Sequence, residues 1–325
     1  MKALVYEGVE TLQMRDVPDP NPAQGEELIR VDAVGICGSD MHAYLGHDAR
    51  RPAPLILGHE AAGTIISGPR ADERVTINPL VTCGTCPACR TGRENLCPNR
   101  QIISMQPREG AFAQYVAMPA QNLVTVPDTI PLDTAALAEP LAVSWHAARL
   151  GLATLAPQMD PRAVVIGGGA IGLAAALALR ALGCPDITIV EPNPDRVSFL
   201  RDLGENVVCS TTEQAPLIVD AVGYAATRAT ASALADPGGV IVHIGLGEDT
   251  GGLDIRRMTL QEITFVGTYT YTAADFRDTA SAIFSGRLGS LDWFETRPLS
   301  DGAQAFRDLR NHAVASPKII LSPWP

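Results

Sequence analysis

The chain has 325 residues, 46% hydrophobic and 19% charged, with a net charge of −11. That is apolar material for about two domains, and so acidic a surface argues against nucleic acid and anionic membranes as partners. The start of the chain meets acidic residues early and holds no apolar run of signal-peptide length, and outside one cluster the cysteines follow no pairing pattern, so a reduced, cytoplasmic protein is expected.

In chain order, Ala3–Tyr6, Glu27–Ala33, Ala61–Ser67, Arg74–Ile77 and Phe112–Met118 are β-rich segments bounded by Gly, Pro and Asp, and predict short strands. Pro18, Pro20 and Pro22 exclude a central strand between the first two. Within this region Cys83, Cys86, Cys89 and Cys97 form C-x2-C-x2-C-x7-C, with Gly84, Pro87 and Gly92 supplying the turns. Thiolates so spaced close a tetrahedron on one zinc ion. The alternative, two disulfides, belongs to an exported loop, for which the rest of the chain gives no sign. Four cysteine ligands leave no open coordination position, so this metal stabilises a lobe and leaves the chemistry to other residues.

From Leu132 the pattern changes. Asp133 is placed to cap a helix over Ala135–Leu150. Then strands (Ala163–Ile166, Asp186–Val190, Leu217–Val222, Gly239–Ile244) alternate with helices (Ala170–Leu182, Pro194–Leu203, Ala226–Leu234). Apolar strands alternating with helices predict a doubly wound parallel sheet, an α/β fold. The apolar run Ala163–Leu182 is broken by glycines and Arg180 and reads as strand-turn-helix, without a membrane span. Helices at Asp275–Ser285 and Gly302–Arg310, with strands near Phe294–Arg297 and at Lys318–Ser322, are expected to return to the first domain. Domain limits of 1–142, 143–275 and 276–325 follow. The strands Gly239–Ile244 and Thr264–Thr268 are expected at a sheet edge, which invites a second copy.

Gly167, Gly169 and Gly172, with Ala170 and Ile171, form G-x-G-x-x-G directly after a strand and opening a helix. The first glycine allows the tight turn, the second a close approach of a pyrophosphate, the third close helix–strand packing. The helix N-terminus offers free amides to phosphate. Glu191 follows the second strand, 19 residues after Gly172, where a carboxylate bonds the adenosine ribose hydroxyls and repels a 2′-phosphate, favouring NAD. Arg196 either stacks on adenine or leans toward a 2′-phosphate; the first is our reading. Val222, Ile244 and Thr268, at later strand ends, are candidates to hold the nicotinamide half.

Gly35-Ile-Cys37-Gly-Ser39-Asp-Met-His42, Gly58-His59-Glu60-Ala-Ala-Gly63, the four-cysteine run, Ala138-Glu139-Pro140-Leu141 and the glycine fingerprint occur in one order and spacing. Together they resemble the zinc-dependent medium-chain alcohol dehydrogenases over essentially the whole chain, and within them the polyol, sorbitol and threonine dehydrogenase branch. The resemblance implies a GroES-like, mostly-β catalytic domain, a Rossmann domain, and a second, catalytic zinc besides the structural one. It also implies oxidation of a secondary alcohol, polyol or sugar-alcohol-like, to a ketone with NAD. Cys37 and His59 match metal ligands. Glu60 matches a glutamate that binds the metal or sits just outside it. Glu139 matches a further ligand or the partner of a zinc-bound water. Ser39 and His42 match the proton relay, and His47 falls where it would line the substrate mouth. The branch's Arg-Tyr substrate pair stands here as Thr270-Tyr271, so the arginine is missing. Relatives form dimers or tetramers. A threonine-type or simple alcohol dehydrogenase, and a non-enzymatic NAD(H)-binding protein, are the competing readings.

Overall fold

The computed structural model describes residues 1–324 and divides into two compact units, one of residues 1–139, 272–285 and 291–324, the other of 140–271 and 286–290. In the first unit a three-stranded sheet runs Thr11–Asp16, Lys2–Gly8, Leu55–Ile56. A seven-stranded sheet runs Leu123–Thr125, Arg74–Ile77, Glu60–Ile65, Glu26–Gly35, Lys318–Ser322, Phe294–Pro298, with Tyr115–Pro119 also paired to Glu26–Gly35. Its pairs are antiparallel except the last two strands, which are parallel. The strand Lys318–Ser322 therefore joins the N-terminal sheet, as its pattern predicted.

One register decides the site. Gly35 pairs with Glu60 on one side and with Ile320 on the other. A Cβ added at Gly35 would lie 2.1 Å from the Glu60 carboxylate. Only a residue without a side chain lets that carboxylate cross the middle strand. Leu80–Val81 and Gln101–Ile102 pair as a separate ribbon, and the cysteine run hangs between its two strands. The core gathers Leu4, Ile29, Leu57, Ile65, Phe112 and Phe306, with Phe306 packed on Tyr44 at 5.2 Å and edge-on to Phe112 at 5.9 Å between ring centres.

The second unit is a six-stranded parallel sheet in the order Val207–Val208, Asp186–Val190, Arg162–Ile166, Ala215–Asp220, Ala235–His243, Thr264–Gly267. The order reverses beside the first strand, the position at which doubly wound sheets open a ligand crevice. Thr264–Gly267 is an edge strand, as expected, whereas Ala235–His243 is interior, paired on both sides.

Two expectations are corrected. Asp133 does not cap the helix. It lies inside a short helix Leu132–Ala136 whose cap is Pro131, and its carboxylate accepts from the Thr134 amide at 2.7 Å. The chain then breaks and restarts as Ala138–Thr154. Pro140 has no amide hydrogen for the Ala136 carbonyl, so one continuous helix cannot form. The strand expected from Phe112 begins only at Tyr115, because Phe112 donates to the Leu57 carbonyl and its own carbonyl accepts from Leu4. Phe306→Ala empties the aromatic cluster and is expected to cost about 3–5 kcal/mol, read as a lower denaturant midpoint at unchanged slope.

Candidate functional site

The four cysteines of the ribbon lobe bring their sulfurs within 4.8 Å of one another. Measured separations are 3.5 Å for Cys86–Cys89, 3.5 Å for Cys83–Cys97 and 3.9 Å for Cys83–Cys89. A zinc tetrahedron with metal–sulfur bonds of about 2.3 Å has edges of about 3.8 Å, so the cluster fits that ion. The local chain builds it: Cys86 caps the short helix Pro87–Arg90, and the amides of Cys86 and Cys89 point at the sulfurs of Cys83 and Cys86. Hydrogen bonds from the backbone at Thr85 and Cys86 lower the Cys83 thiol to about 5, while burial and the neighbouring sulfurs push Cys89 up to about 12. Thiols this close resist joint ionisation, and a divalent cation is what would let all four become ligands.

A second cluster forms around Cys37 and His59. Cys37 precedes the helix Gly38–Tyr44, and Asp40 in its first turn accepts the Cys37 amide at 3.0 Å. The other Asp40 oxygen accepts the Gly58 amide at 3.2 Å and faces His59 Nδ1 at 3.4 Å. Ser104 Oγ lies 3.3 Å from the same Nδ1. The Nδ1 edge thus faces two oxygens, and Nε2 has Ser39 Oγ at 3.4 Å. A ligating histidine held at its second nitrogen by a carboxylate is the usual arrangement around zinc. Burial alone would raise the Asp40 carboxyl, but the His59 imidazole and the Arg51 guanidinium hold it below its usual range. Burial would lower His59, yet the Asp40 carboxylate and the Cys37 sulfur raise it well above. The site therefore favours positive charge at the ring, which a bound cation would supply.

Glu60 and Glu139 are both buried. Glu60 gives both oxygens to Lys318 Nζ, at 2.7 and 2.8 Å, and the third Lys318 hydrogen goes to the Ile36 carbonyl at 2.9 Å. Burial opposes charge on Lys318, but Glu60, Cys37 and Glu139 together raise its pKa above the ordinary value. Among the described residues the four-cysteine lobe is the one group of three or more candidate ligands whose donor atoms converge. At the second cluster the structure brings Cys37 and His59 together and turns Glu60 to Lys318.

In the second unit, Gly167 adopts φ +98 and a Cβ at Gly172 would lie 1.8 Å from the Gly167 carbonyl oxygen. Gly169 caps the helix Ala170–Ala181 with no side-chain bond, which leaves first-turn amides free. The Arg196 guanidinium reaches over Gly169, and its buried Nε has no partner among the described residues. Free amides and a cation at one helix N-terminus fit a dinucleotide's phosphates. Glu191 accepts from Gly168 at 2.9 Å and from Asn193 at 2.8 Å, one bond to each oxygen. Val222, Ile244 and Thr268 meet at neighbouring strand ends: Ile244 donates to the Asp220 carbonyl at 3.0 Å, and Thr268 to the His243 carbonyl at 3.1 Å.

His42 and His47 are exposed, with ring centres 6.4 Å apart. Tyr271 is buried, and Thr270 carries φ +45 with an Oγ1 that is buried without a partner among the described residues. Several residues escaped the sequence reading. Asp40 sits inside the quoted motif, but the motif assigns it no role. Lys318 lies 258 positions from Glu60. Asp220 accepts from Val222 and Gly223, and Arg228 donates to the carbonyls of Gly223, Glu248, Thr250 and Gly251, so both shape the loops after the strands Ala215–Asp220 and Ala235–His243.

Residues 23–128 match the family model for the alcohol dehydrogenase GroES-like domain, and residues 170–285 that for the zinc-binding dehydrogenase. The sorbitol dehydrogenase of Arabidopsis thaliana is 30% identical, over 81% of this chain and 79% of that protein. The sorbitol dehydrogenase of Bacillus subtilis is 37% identical over 66% of this chain and 62% of its own length. A solved oxidoreductase/dehydrogenase of unknown specificity from Escherichia coli superposes with a TM-score of 0.90 at 28% identity, covering 99% of both chains. The chain belongs to the zinc-dependent medium-chain alcohol dehydrogenases and lies on their polyol branch.

Removing Lys318 as a partner leaves a buried carboxylate unpaired. Lys318→Met is expected to destabilise by about 3–5 kcal/mol, and the double variant with Glu60→Gln by clearly less than Lys318→Met alone. Thermal melting of the three proteins reads the difference.

Proposed function

We propose that the protein is an NAD-dependent zinc dehydrogenase that interconverts a secondary alcohol, polyol or sugar-alcohol-like, and its ketone. The observation that carries this reading is the Asp40 carboxylate, which accepts the Cys37 amide and faces His59 Nδ1, and so ties the two candidate ligands to one group. When bound, zinc supplies Lewis acidity toward the substrate oxygen and the dinucleotide accepts hydride.

The remaining work falls to the chain. Cys37 and His59 would hold the metal, and Glu139 would supply a further oxygen for it or for its water. Glu60 is placed beside the centre and neutralised by Lys318. Asp40 keeps the His59 proton at Nδ1, so Nε2 stays a ligand. Ser39 takes the proton that the alcohol loses. His42, exposed on the same helix, passes it to water, since imidazole exchanges protons near neutral pH. Gly167, Gly169, Ala170, Ile171 and Gly172 hold the pyrophosphate, and Glu191 the adenosine ribose. Its negative charge disfavours a 2′-phosphate. Arg196 lies beside Gly169 and steadies the adenosine half. Val222, Ile244 and Thr268 hold the nicotinamide through backbone groups, and His47, Thr270 and Tyr271 border the substrate.

Three further points belong to the same reading. The cysteine lobe carries a structural zinc. The edge strand Thr264–Gly267, with Ile255, Leu260 and Phe265 exposed nearby, supports assembly with further copies as a dimer or tetramer. Among the described residues no helix is long and apolar enough to cross a membrane, and a cytoplasmic location agrees with the free cysteines.

Metal analysis is expected to find two zinc ions per chain, and a panel of polyols, sugar alcohols, amino alcohols and simple secondary alcohols with NAD is expected to show turnover. Turnover of a primary alcohol alone, with every secondary alcohol inert, would overturn the substrate class. Cys37→Ser is expected to abolish activity with the melting curve unchanged. Cys86→Ser is expected to lower the melting midpoint, because metal binding at a closed thiolate site is part of the folding free energy.

A further inference from the structure

We infer that Ser104 is a positioning residue for the histidine ligand, its hydroxyl sharing the Nδ1 hydrogen of His59 with Asp40. This rests on the reading of Cys37 and His59 as a metal centre. Ser104 is fully buried and adopts φ +72, in the left-handed region where a side chain meets its own backbone. A glycine would make that turn without strain. What the serine adds is a Cβ that carries Oγ to 3.3 Å from Nδ1. Strain kept at a buried position beside a candidate ligand is the pattern of a residue held for its side chain.

The surroundings hold the strained peptide in place. Its carbonyl accepts from Arg51 Nε at 3.0 Å. Arg51 is itself buried, paired with Asp48 at 2.6 Å, and its remaining nitrogens reach the Ser39 carbonyl at 3.4 Å and the Ser39 hydroxyl at 3.5 Å. One guanidinium thus ties together the loop that steers His59 and the residue proposed to take the substrate proton. Asp40 cannot do the steering alone. Its oxygens already serve the Cys37 and Gly58 amides, and its contact with Nδ1 is long, at 3.4 Å. Two long contacts on either side of one N–H fix the plane of the ring better than one, because each resists rotation toward the other. Ligand-orienting groups of this kind change metal retention by about 10–100-fold when removed.

Two variants separate positioning from turn formation. Ser104→Ala removes the oxygen and keeps the strain. Ser104→Gly removes both. Zinc per chain is followed during timed exposure to a chelator, alongside thermal melting and the visible spectrum of protein with cobalt exchanged into the Cys37–His59 centre. Both variants are expected to lose the second zinc at least tenfold faster than the parent and to shift the cobalt bands. The four-cysteine zinc is expected to stay, and Ser104→Gly to melt at or above the parent temperature. A parent protein that binds only one zinc would sink the metal-centre reading itself. A parent with two zinc ions, and folded variants that retain both as long with unchanged cobalt bands, would overturn the role of Ser104. If only Ser104→Gly fails to fold, the retention and spectrum of Ser104→Ala decide alone.

Discussion

A single buried ion pair joins the end of the chain to its beginning. Lys318 and Glu60 sit on strands either side of Gly35, and the missing side chain at Gly35 is the opening through which their charges meet. Taking two charges out of water is costly unless every hydrogen bond is made. Here all three ammonium hydrogens are used, two on Glu60 and one on the Ile36 carbonyl. The pair also sets the charge of the cluster beside it. Cys37, Glu60 and Glu139 would repel one another as anions. Lys318 offsets this charge by pairing with Glu60 through both of its oxygens. The last strand is therefore part of the site, although it contributes no metal ligand.

The cysteine lobe and the proposed centre at Cys37 and His59 differ in what their backbone does. In the cysteine lobe the amides of Cys86 and Cys89 point at sulfur, so the turn itself favours thiolate. All four ligands come from one loop, which makes that centre local and closed. Cys37 and His59 come from separate segments, and the amides of Cys37 and Gly58 point at the Asp40 carboxylate instead. Asp40 registers the Gly38–Tyr44 helix against the strand that begins at Glu60. Such a site depends on the surrounding sheet being formed first, and it keeps room for a group that is not part of the protein.

Much of this was legible in the chain. The cysteine spacing, the glycine fingerprint and the alternating strands and helices each rest on contacts within a few tens of residues, and pattern reading reaches that far. Gly167 and Gly172 play the parts their motif assigns. The helix expected from Asp133 failed on a local rule that was available, since Pro140 stops one helix and opens the next. Other features were out of reach for a different reason. Lys318 and Ser104 look like ordinary surface residues in a one-dimensional reading. Their roles exist only once strands far apart in sequence are paired, and no periodicity encodes which buried charge will face which.

The same device recurs in both units, and it explains why loops hold their shape at the strand ends. Asp40 gathers the amides of Cys37 and Gly58; Asp220 gathers those of Val222 and Gly223; Arg228 gathers four carbonyls from the loops on either side of it. The four carbonyls on Arg228 come from two loops, Gly223 before its helix and Glu248, Thr250 and Gly251 after the next strand; each buried charge satisfies backbone groups that have no partner in a sheet or helix, so a loop becomes as fixed as the elements it joins. Thr270 stands apart. It holds a left-handed backbone, and its buried hydroxyl has no partner among the described residues. A hydroxyl left unbonded is costly in a protein interior, so this one is poised to bond an incoming polar group. Where the polyol branch places a guanidinium, this chain offers a short neutral donor and acceptor.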